Sequence, residues 1–342
     1  MKHHLNTLYV TTPGAHLARS GKVVIVRVGG EIKLRVPIHA LGSVVCFGAI
    51  GLSPALMGLC AASGVSVTLC SRGGSHVATV SGSGRGNVVM RRAHYRVADD
   101  DRFALEVARS CVAAKLANCR TLLLRAAREA RGGRADALEQ ATREVERSAR
   151  AAWQSTDLDV LRGLEGEGAR AYFSAFNAMI VAQGDDFKYV GRSRRPPRDA
   201  VNSLLSFLYA MLANDARAAC EAAGLDAFVG FLHRERPGRP GLALDLMEEF
   251  RPVIADRVVL TLINRQQVRA AGFERQENGA VLMSDETRRV VLTVYQERKQ
   301  EVIAHPILEE KTTIGLLPFL QARLLARHIR GELDAYPAFL WR

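Results

Sequence analysis

The chain has 342 residues, and 47 Lys and Arg against 35 Asp and Glu give it a formal net charge of +12. Its 48 % apolar and 24 % charged residues suffice for a core across about two domains of ~100–200 residues each. Whole-chain disorder, a collagen-like fibre and a small disulfide-held scaffold are thereby excluded, and the basic balance points to a polyanion, nucleic acid before acidic membrane.

Residues 1–90 hold 14 of the 29 glycines, and eight basic residues against one acid, Glu31. Val23–Val28 and Ile32–Val36 are β-branched runs around Gly29-Gly30, a hairpin signal because such turns need positive φ. Val44–Phe47, Val65–Leu69 and Val77–Val80 read as further strands. No charged side chain occurs from Val36 to Ser71, a length that would cross a membrane. Pro37, Ser43, Ser53-Pro54 and Ser63-Gly64 break that run. Ser53 to Gly64 instead reads as a short helix with Ser at the N-cap, Pro at the first position and Gly past the end. The six cysteines form no CxxC pair, and no leader is visible, so buried reduced thiols in a cytoplasmic protein are expected.

The pattern changes near residue 90. The expected organisation is α+β: a small β-rich domain over 1–90, a linker over 91–100 and an all-α domain over 101–342. No proline lies between Pro54 and Pro196, and Arg102–Ala130 and Ala135–Trp153 read as long amphipathic helices broken at Arg131-Gly132-Gly133. A third starts near Thr156, where Thr156-x-x-Asp159 resembles a capping box. After Pro196-Pro197, Val201, Leu204, Leu205, Leu208, Met211 and Leu212 follow helical spacing. Further helices are expected over Leu242–Phe250, Val253–Asn264, Glu286–Lys299 and Lys311–Gly331.

Walker, GxSxG and HExxH motifs are absent, and Gly82-Ser-Gly84-Arg-Gly86 reads as a flexible turn rather than a phosphate cradle. On the helix expected over Asp157–Ile180, Leu161, Glu165, Ala169, Tyr172 and Phe176 share one face. Glu165 alone is charged there, and burying it ionised costs several kcal/mol unless it is paired or metal-bound. Glu167 lies on another face as a solvated residue. Gly163, Gly166 and Gly168 suggest that another backbone comes close. A second cluster sets His233 ahead of a helix presenting Asp245 and Glu248 at i, i+3, a mixed N/O set suited to Mg²⁺ or Mn²⁺. Spacing does not choose between Glu248 and Glu249. The third feature is a cationic run, Lys188, Arg192, Arg194, Arg195 and Arg198, suited to phosphate. It is followed by the polar line Asp199, Asn202, Ser206 and Tyr209, which would let the next helix face a site.

In this order the features resemble the CRISPR-associated endonuclease/integrase family (the Cas-one family), the larger subunit of the spacer-acquisition complex. The matching stretches are Gly163-Leu-Glu165-Gly-Glu-Gly-Ala-Arg-Ala-Tyr-Phe, Arg195-Pro-Pro-Arg-Asp-Ala-Val-Asn202-Ser-Leu-Leu-Ser-Phe-Leu-Tyr209, and Gly230-Phe-Leu-His233 through Leu-Ala-Leu-Asp245-Leu-Met-Glu248-Glu-Phe-Arg-Pro252. Leu5-Asn-Thr-Leu-Tyr-Val-Thr-Thr and Val-Cys46-Phe-Gly look like its subtype one-C branch. The resemblance implies a homodimer with contacts from the β-domain, and a divalent metal, Mg²⁺ or Mn²⁺, on Glu165, His233 and Glu248 with Asp245 in support. Glu249 would then be dispensable, and the Glu167-Gly168 pair, where many relatives end in Ala, of little effect. Implied partners are double-stranded DNA (incoming spacer and repeat), a small ferredoxin-like subunit and an iron–sulfur exonuclease. Lys188 through Arg198, with Arg234 and Arg236, would hold DNA backbone. Two rivals remain open: a tyrosine-type recombinase using His233-x-x-Arg236 with Tyr295 or Tyr336, and a non-catalytic DNA scaffold.

Overall fold

The computed structural model describes residues 6–74, 76–80, 82 and 87–341. All of Gly82-Ser-Gly84-Arg-Gly86 except Gly82 lies outside them. The chain opens with β1 (Thr7–Val10), β2 (His16–Ser20), β3 (Val23–Val28), β4 (Glu31–Pro37), β5 (Ser43–Phe47) and β6 (Gly51–Leu52). Then come α1 (Pro54–Ala62), β7 (Ser66–Cys70) and β8 (His76–Val80). Two four-stranded sheets result, ordered β4-β3-β2-β6 and β1-β5-β7-β8. Gly29 and Gly30, at φ +59° and +85°, make the β3–β4 turn. The Ser53 hydroxyl accepts from Leu56 N at 3.2 Å to start α1, with Pro54 at its first position.

The uncharged run has a direct cause. Along β5, Val44 and Cys46 face the core shared by both sheets and α1, whereas Val45 and Phe47 face the helical core. Both faces are buried, so no position of the strand tolerates a charge. The Phe47 ring lies 5.7 Å from that of Phe207 in the helical part. No helix among the described residues is long and apolar enough to cross a membrane.

The expected linker is in fact mostly helix α2 (Val88–Ala98). Asn87 caps it through Met90 N at 2.9 Å, and Met90 and His94, one turn apart, are buried. With that apolar anchor and no Gly or Pro, the segment has no reason to stay extended. Next come α3 (Asp101–Ala127), α4 (Gly133–Gln154), α5 (Leu158–Ser174), α6 (Ala200–Ala222), α7 (Gly241–Glu248) and α8 (Arg257–Asn264). A π-helical segment, Arg251–Asp256, joins the last two and takes the first four residues of the helix expected over Val253–Asn264. Hairpin β9 (Phe273–Arg275) and β10 (Val281–Met283) precedes α9 (Asp285–Gln300). A second hairpin, β11 (Val302–Ala304) with β12 (Lys311–Thr313), precedes α10 (Leu317–Ile329). The carboxyl-terminal part is thus helical with two small ribbons, and β12 replaces the first turn of the helix expected from Lys311.

The helices enclose one core, to which α6 contributes Val201, Leu204, Leu205, Leu208, Met211 and Leu212 as spaced in the sequence. The tail after α10 returns across α3, burying Tyr336, Phe339 and Trp341. All six cysteines are free and buried.

Candidate active site

Helix α5 begins at Asp157, not Thr156: its Oδ1 accepts from Asp159 N and Val160 N, both at 2.8 Å. Two orphan amides of the first turn are thereby satisfied. Leu161 and Tyr172 on the inner face are buried, and Glu165 between them is 28 % exposed at its side chain. Glu167 is exposed. The glycines do not admit a second backbone. Gly163 and Gly166 face open space, while a Cβ at Gly168 would meet Leu116 Cδ2 at 2.5 Å and Ser148 Cβ at 3.2 Å. Gly168 is therefore the position where α5 packs on α3 and α4, and an Ala there is not innocuous unless Leu116 shifts.

His233 lies in the loop before α7 and is set by Asp245. That buried carboxylate accepts from the amides of Phe231, Leu232 and His233 at 2.6, 3.0 and 3.1 Å, and pairs with His233 Nδ1 at 2.6 Å. Holding Nδ1 fixes the ring and leaves Nε2 as the nitrogen for a ligand. Gly230 allows this close approach, since a Cβ would lie 2.8 Å from Asp245 Oδ2.

Glu248, at the end of α7, is 2 % exposed. Arg251 Nη2 lies 3.1 Å from its Oε1 and Lys115 Nζ 2.7 Å from its Oε2. Burial pushes this carboxyl upward, but Arg251, Lys115 and His233 outweigh it and hold it down at about 2. The Oε2 atom makes no hydrogen bond of proper geometry despite its neighbour. Lys115, from α3, also donates to Glu165 Oε1. Burial would lower its ammonium pKa, yet Glu248 and Glu165 raise it above the ordinary value.

Glu165, His233 and Glu248 line one cavity of about 480 Å³. Arg162, Arg194, Arg234, Arg236, Arg239 and Arg251 line it too, against Asp159 as the one further acid. Arg234 pairs with Asp159 at 2.5 Å, and Arg162 holds Asp159 at 2.6 Å and the Leu232 carbonyl at 2.8 Å. Among the described residues no three His, Cys, Asp or Glu side chains are gathered closely enough to hold an ion as they lie.

Several expectations need correction. Arg192 is not a free phosphate contact. Its Nη1 donates to the Ser193 carbonyl, Asn202 Oδ1 and Ser206 Oγ at 2.8, 2.7 and 3.1 Å, and the guanidinium lies over the Tyr209 ring. The polar line on α6 thus binds the basic loop to its own helix. Lys188, Arg194, Arg195 and Arg198 remain exposed, and of these Arg194 reaches the cavity. At the far end of the line, Tyr209 donates to Asp256 Oδ1 at 2.7 Å and Tyr172 to Oδ2 at 2.9 Å. Burial lifts Asp256 to about 6, against the lowering effect of those two bonds.

Glu249 is not a bystander. It is fully buried and accepts from Tyr336 Oη, Phe339 N at 2.6 Å and Gln321 Nε2 at 3.2 Å, anchoring the tail. The Tyr295 hydroxyl, also buried, donates to Asp215 at 2.8 Å. Neither Tyr295 nor Tyr336 lines the cavity. Neither of the two tyrosines named as nucleophiles therefore stands beside His233 and Arg236 at the cavity.

Sequence reasoning passed over Lys115 and Arg251. A signal existed for the first: Cys111, Lys115, Cys119 and Leu122 follow helical spacing, with one cation on an otherwise apolar face.

The family described as "CRISPR associated protein Cas1" matches residues 8–297. A CRISPR-associated endonuclease Cas1 of Chlorobaculum tepidum is 47 % identical over 345 residues, all of both chains. A Cas4 exonuclease/Cas1 endonuclease fusion of Geobacter sulfurreducens is 38 % identical over 98 % of this chain and 60 % of its own. Two solved structures share the fold at TM-score 0.83. One is a casposase bound to integration product, 20 % identical, covering 98 % of this chain and 94 % of that one. The other is a chain of a Cas6-RT-Cas1–Cas2 complex, 22 % identical, covering 100 % of this chain and 36 % of that one. With its mixed α+β architecture and an identity near one half along its full length, this chain belongs to the Cas1 family of CRISPR-associated endonucleases.

Proposed function

We propose that this chain is a divalent-metal-dependent DNA endonuclease and integrase of the spacer-acquisition step, with Glu165, His233 and Glu248 as the ligands of Mg²⁺ or Mn²⁺. The observation that carries this reading is the convergence of the three side chains on one arginine-lined cavity. The donor set fits a hard cation: two carboxylates and an imidazole whose Nδ1 is already held, with Glu248 Oε2 buried and lacking a proper hydrogen bond. When bound, the cation would polarise the scissile phosphate and stabilise the leaving oxygen.

The chain's own residues supply the rest. Arg194, Arg236 and Arg239 present guanidiniums to phosphate oxygens, which positions backbone without reading bases. Asp245 keeps the His233 ring oriented, and Arg251 pins Glu248 from its other oxygen. The nucleophile is the 3′-OH of incoming DNA in integration and water in cleavage, and no protein–DNA covalent bond is needed. The substrates are then the incoming spacer duplex and the CRISPR repeat. The two-sheet domain supplies homodimer contacts, since its edge strand β4 is exposed along most of its length. A small ferredoxin-like subunit completes the complex, as the Cas1–Cas2 assembly of the structural relative suggests. The exonuclease fusion supports an iron–sulfur exonuclease partner. Subtype one-C and a cytoplasmic setting belong to the same proposal.

Glu165→Ala, His233→Ala and Glu248→Ala are each expected to abolish Mg²⁺- or Mn²⁺-dependent cleavage and integration. DNA affinity should stay within a few-fold, because binding is spread over many phosphate contacts. Glu167→Ala, on the exposed face, should remain active. Normal integration by Glu165→Ala would overturn the assignment.

A further inference from the structure

Lys115 is among the few charged groups sealed inside the molecule, 5 % exposed. It projects from α3, the long helix packed against α4, α5 and α7. Its ammonium touches Glu165 of α5 and Glu248 of α7, and so ties three helices at one point. That point lies between two of the three side chains proposed above as metal ligands. A buried lysine persists only where it meets opposite charge, and here the two carboxylates and the two cations Lys115 and Arg251 balance. The two cations differ in kind. Arg251 lies over the Tyr209 ring at 4.8 Å and holds Glu248 Oε1, so that oxygen stays fixed. Lys115 ends in a compact charge on a flexible four-carbon stem, which can withdraw without breaking a planar fork.

We infer that Lys115 is a positioning residue whose ammonium, seated between Glu165 and Glu248, stands in for the metal charge in the unloaded protein and competes with a divalent ion for both carboxylates. The inference rests on the proposed ligand set. It accounts for a cavity in which the acids converge yet, among the described residues, no three ligand side chains are drawn together as they lie. Without a central cation the two carboxylates would repel, and the α5–α7 spacing on which the site depends would open. With it, the site is kept assembled, and a metal must displace an ion pair to enter.

The test uses the full chain without DNA, comparing wild type, Lys115→Met and Glu248→Ala. Mn²⁺ binding is measured by calorimetry and by Mn²⁺ electron paramagnetic resonance, and thermal unfolding is followed with and without Mn²⁺. Lys115→Met is expected to melt below wild type when metal-free. It should bind Mn²⁺ about tenfold more tightly and show a larger Mn²⁺-induced rise in Tm, because the competing cation is gone. Should Lys115→Met not fold, Lys115→Gln removes the charge while keeping a hydrogen-bond donor, and the same shifts are expected of it. If the variant that folds binds Mn²⁺ no more tightly than wild type, while Glu248→Ala abolishes binding, Lys115 does not compete and the inference fails with the ligand set intact. If wild type binds no Mn²⁺ that Glu248→Ala removes, the ligand set fails and takes the inference with it.

Discussion

Glu248 and Glu249 are neighbours in sequence with opposite fates in the fold, and Glu249→Ala exposes the difference. The substitution deletes the acceptor for four buried donors: Tyr336 Oη, Phe339 N, Gln321 Nε2 and, more weakly, Cys111 Sγ. Of these, Gln321 Nε2 keeps the Pro337 carbonyl at 2.9 Å as an alternative acceptor. An orphaned buried donor costs about 1–3 kcal/mol, so losing the acceptor of Tyr336 Oη and Phe339 N works out at roughly 2–6 kcal/mol. Set against a typical stability of about 5–15 kcal/mol, this is a large fraction. The tail should loosen first. Asn118 still ties it through the Phe339 carbonyl at 3.0 Å and Trp341 N at 2.7 Å, but its anchor on α7 is gone. Guanidinium unfolding followed by circular dichroism reads the stability loss. Tryptophan fluorescence reads the tail, because Trp341 lies 3.8 Å beneath the Arg125 guanidinium while Trp153, the other tryptophan, is 59 % exposed already. A midpoint shift equivalent to less than about 1 kcal/mol would show that Glu249 does not anchor the tail, and the reasoning would fall.

Asp256 carries a pH signature. Its folded-state pKa is raised to about 6, so the folded protein retains a proton that the unfolded chain has released above its ordinary value of 3.8. Its contribution to stability is therefore full below about pH 4 and is lost as pH rises toward 6, a difference of up to about 3 kcal/mol. Asp256→Asn should abolish that decline, so its Tm relative to wild type should climb between pH 4 and pH 7. A constant offset would refute the assignment. For DNA, Arg192 turned inward leaves four exposed cations on the basic loop, and log K from this loop should fall with log salt at a slope near −3 to −4. Neutralising Arg194 and Arg195 should flatten the measured slope by about 1–2, and an unchanged slope in filter binding would make the loop a bystander.

Much of the secondary structure was written locally. The Gly29-Gly30 turn, the Ser53-Pro54 helix start and the apolar spacing of α6 depend on backbone conformation and period, which neighbouring residues decide among themselves. The linker expectation failed because Met90 and His94 are too few to make a periodic signal, yet both are buried by packing that the segment does not encode. The glycines of α5 looked alike in the sequence, and only the approach of Leu116 and Ser148 singled out Gly168. The short hairpins β9–β10 and β11–β12 were missed because three-residue strands are below the length at which alternation can be read.

The site divides in the same way. Glu165 was legible because a lone carboxylate interrupts an apolar helical face, and His233 with Asp245 because a histidine and an acid stand one short loop and a helical turn apart. By itself, then, the sequence determined the α+β class, most of the helices and one member of each carboxylate cluster, since these follow from period and local chemistry. Tertiary structure alone decided that Arg192 turns to Asn202 and Ser206, that Glu249 faces the tail while Glu248 faces the cavity, and that Lys115 reaches the carboxylates of both Glu165 and Glu248. Each of those outcomes is an electrostatic pairing across 10 to 133 residues of chain, from Arg192 with Asn202 to Lys115 with Glu248. A buried charge takes whatever opposite charge or hydrogen-bond partner the packing of distant segments brings to it, and no local pattern records which one that is.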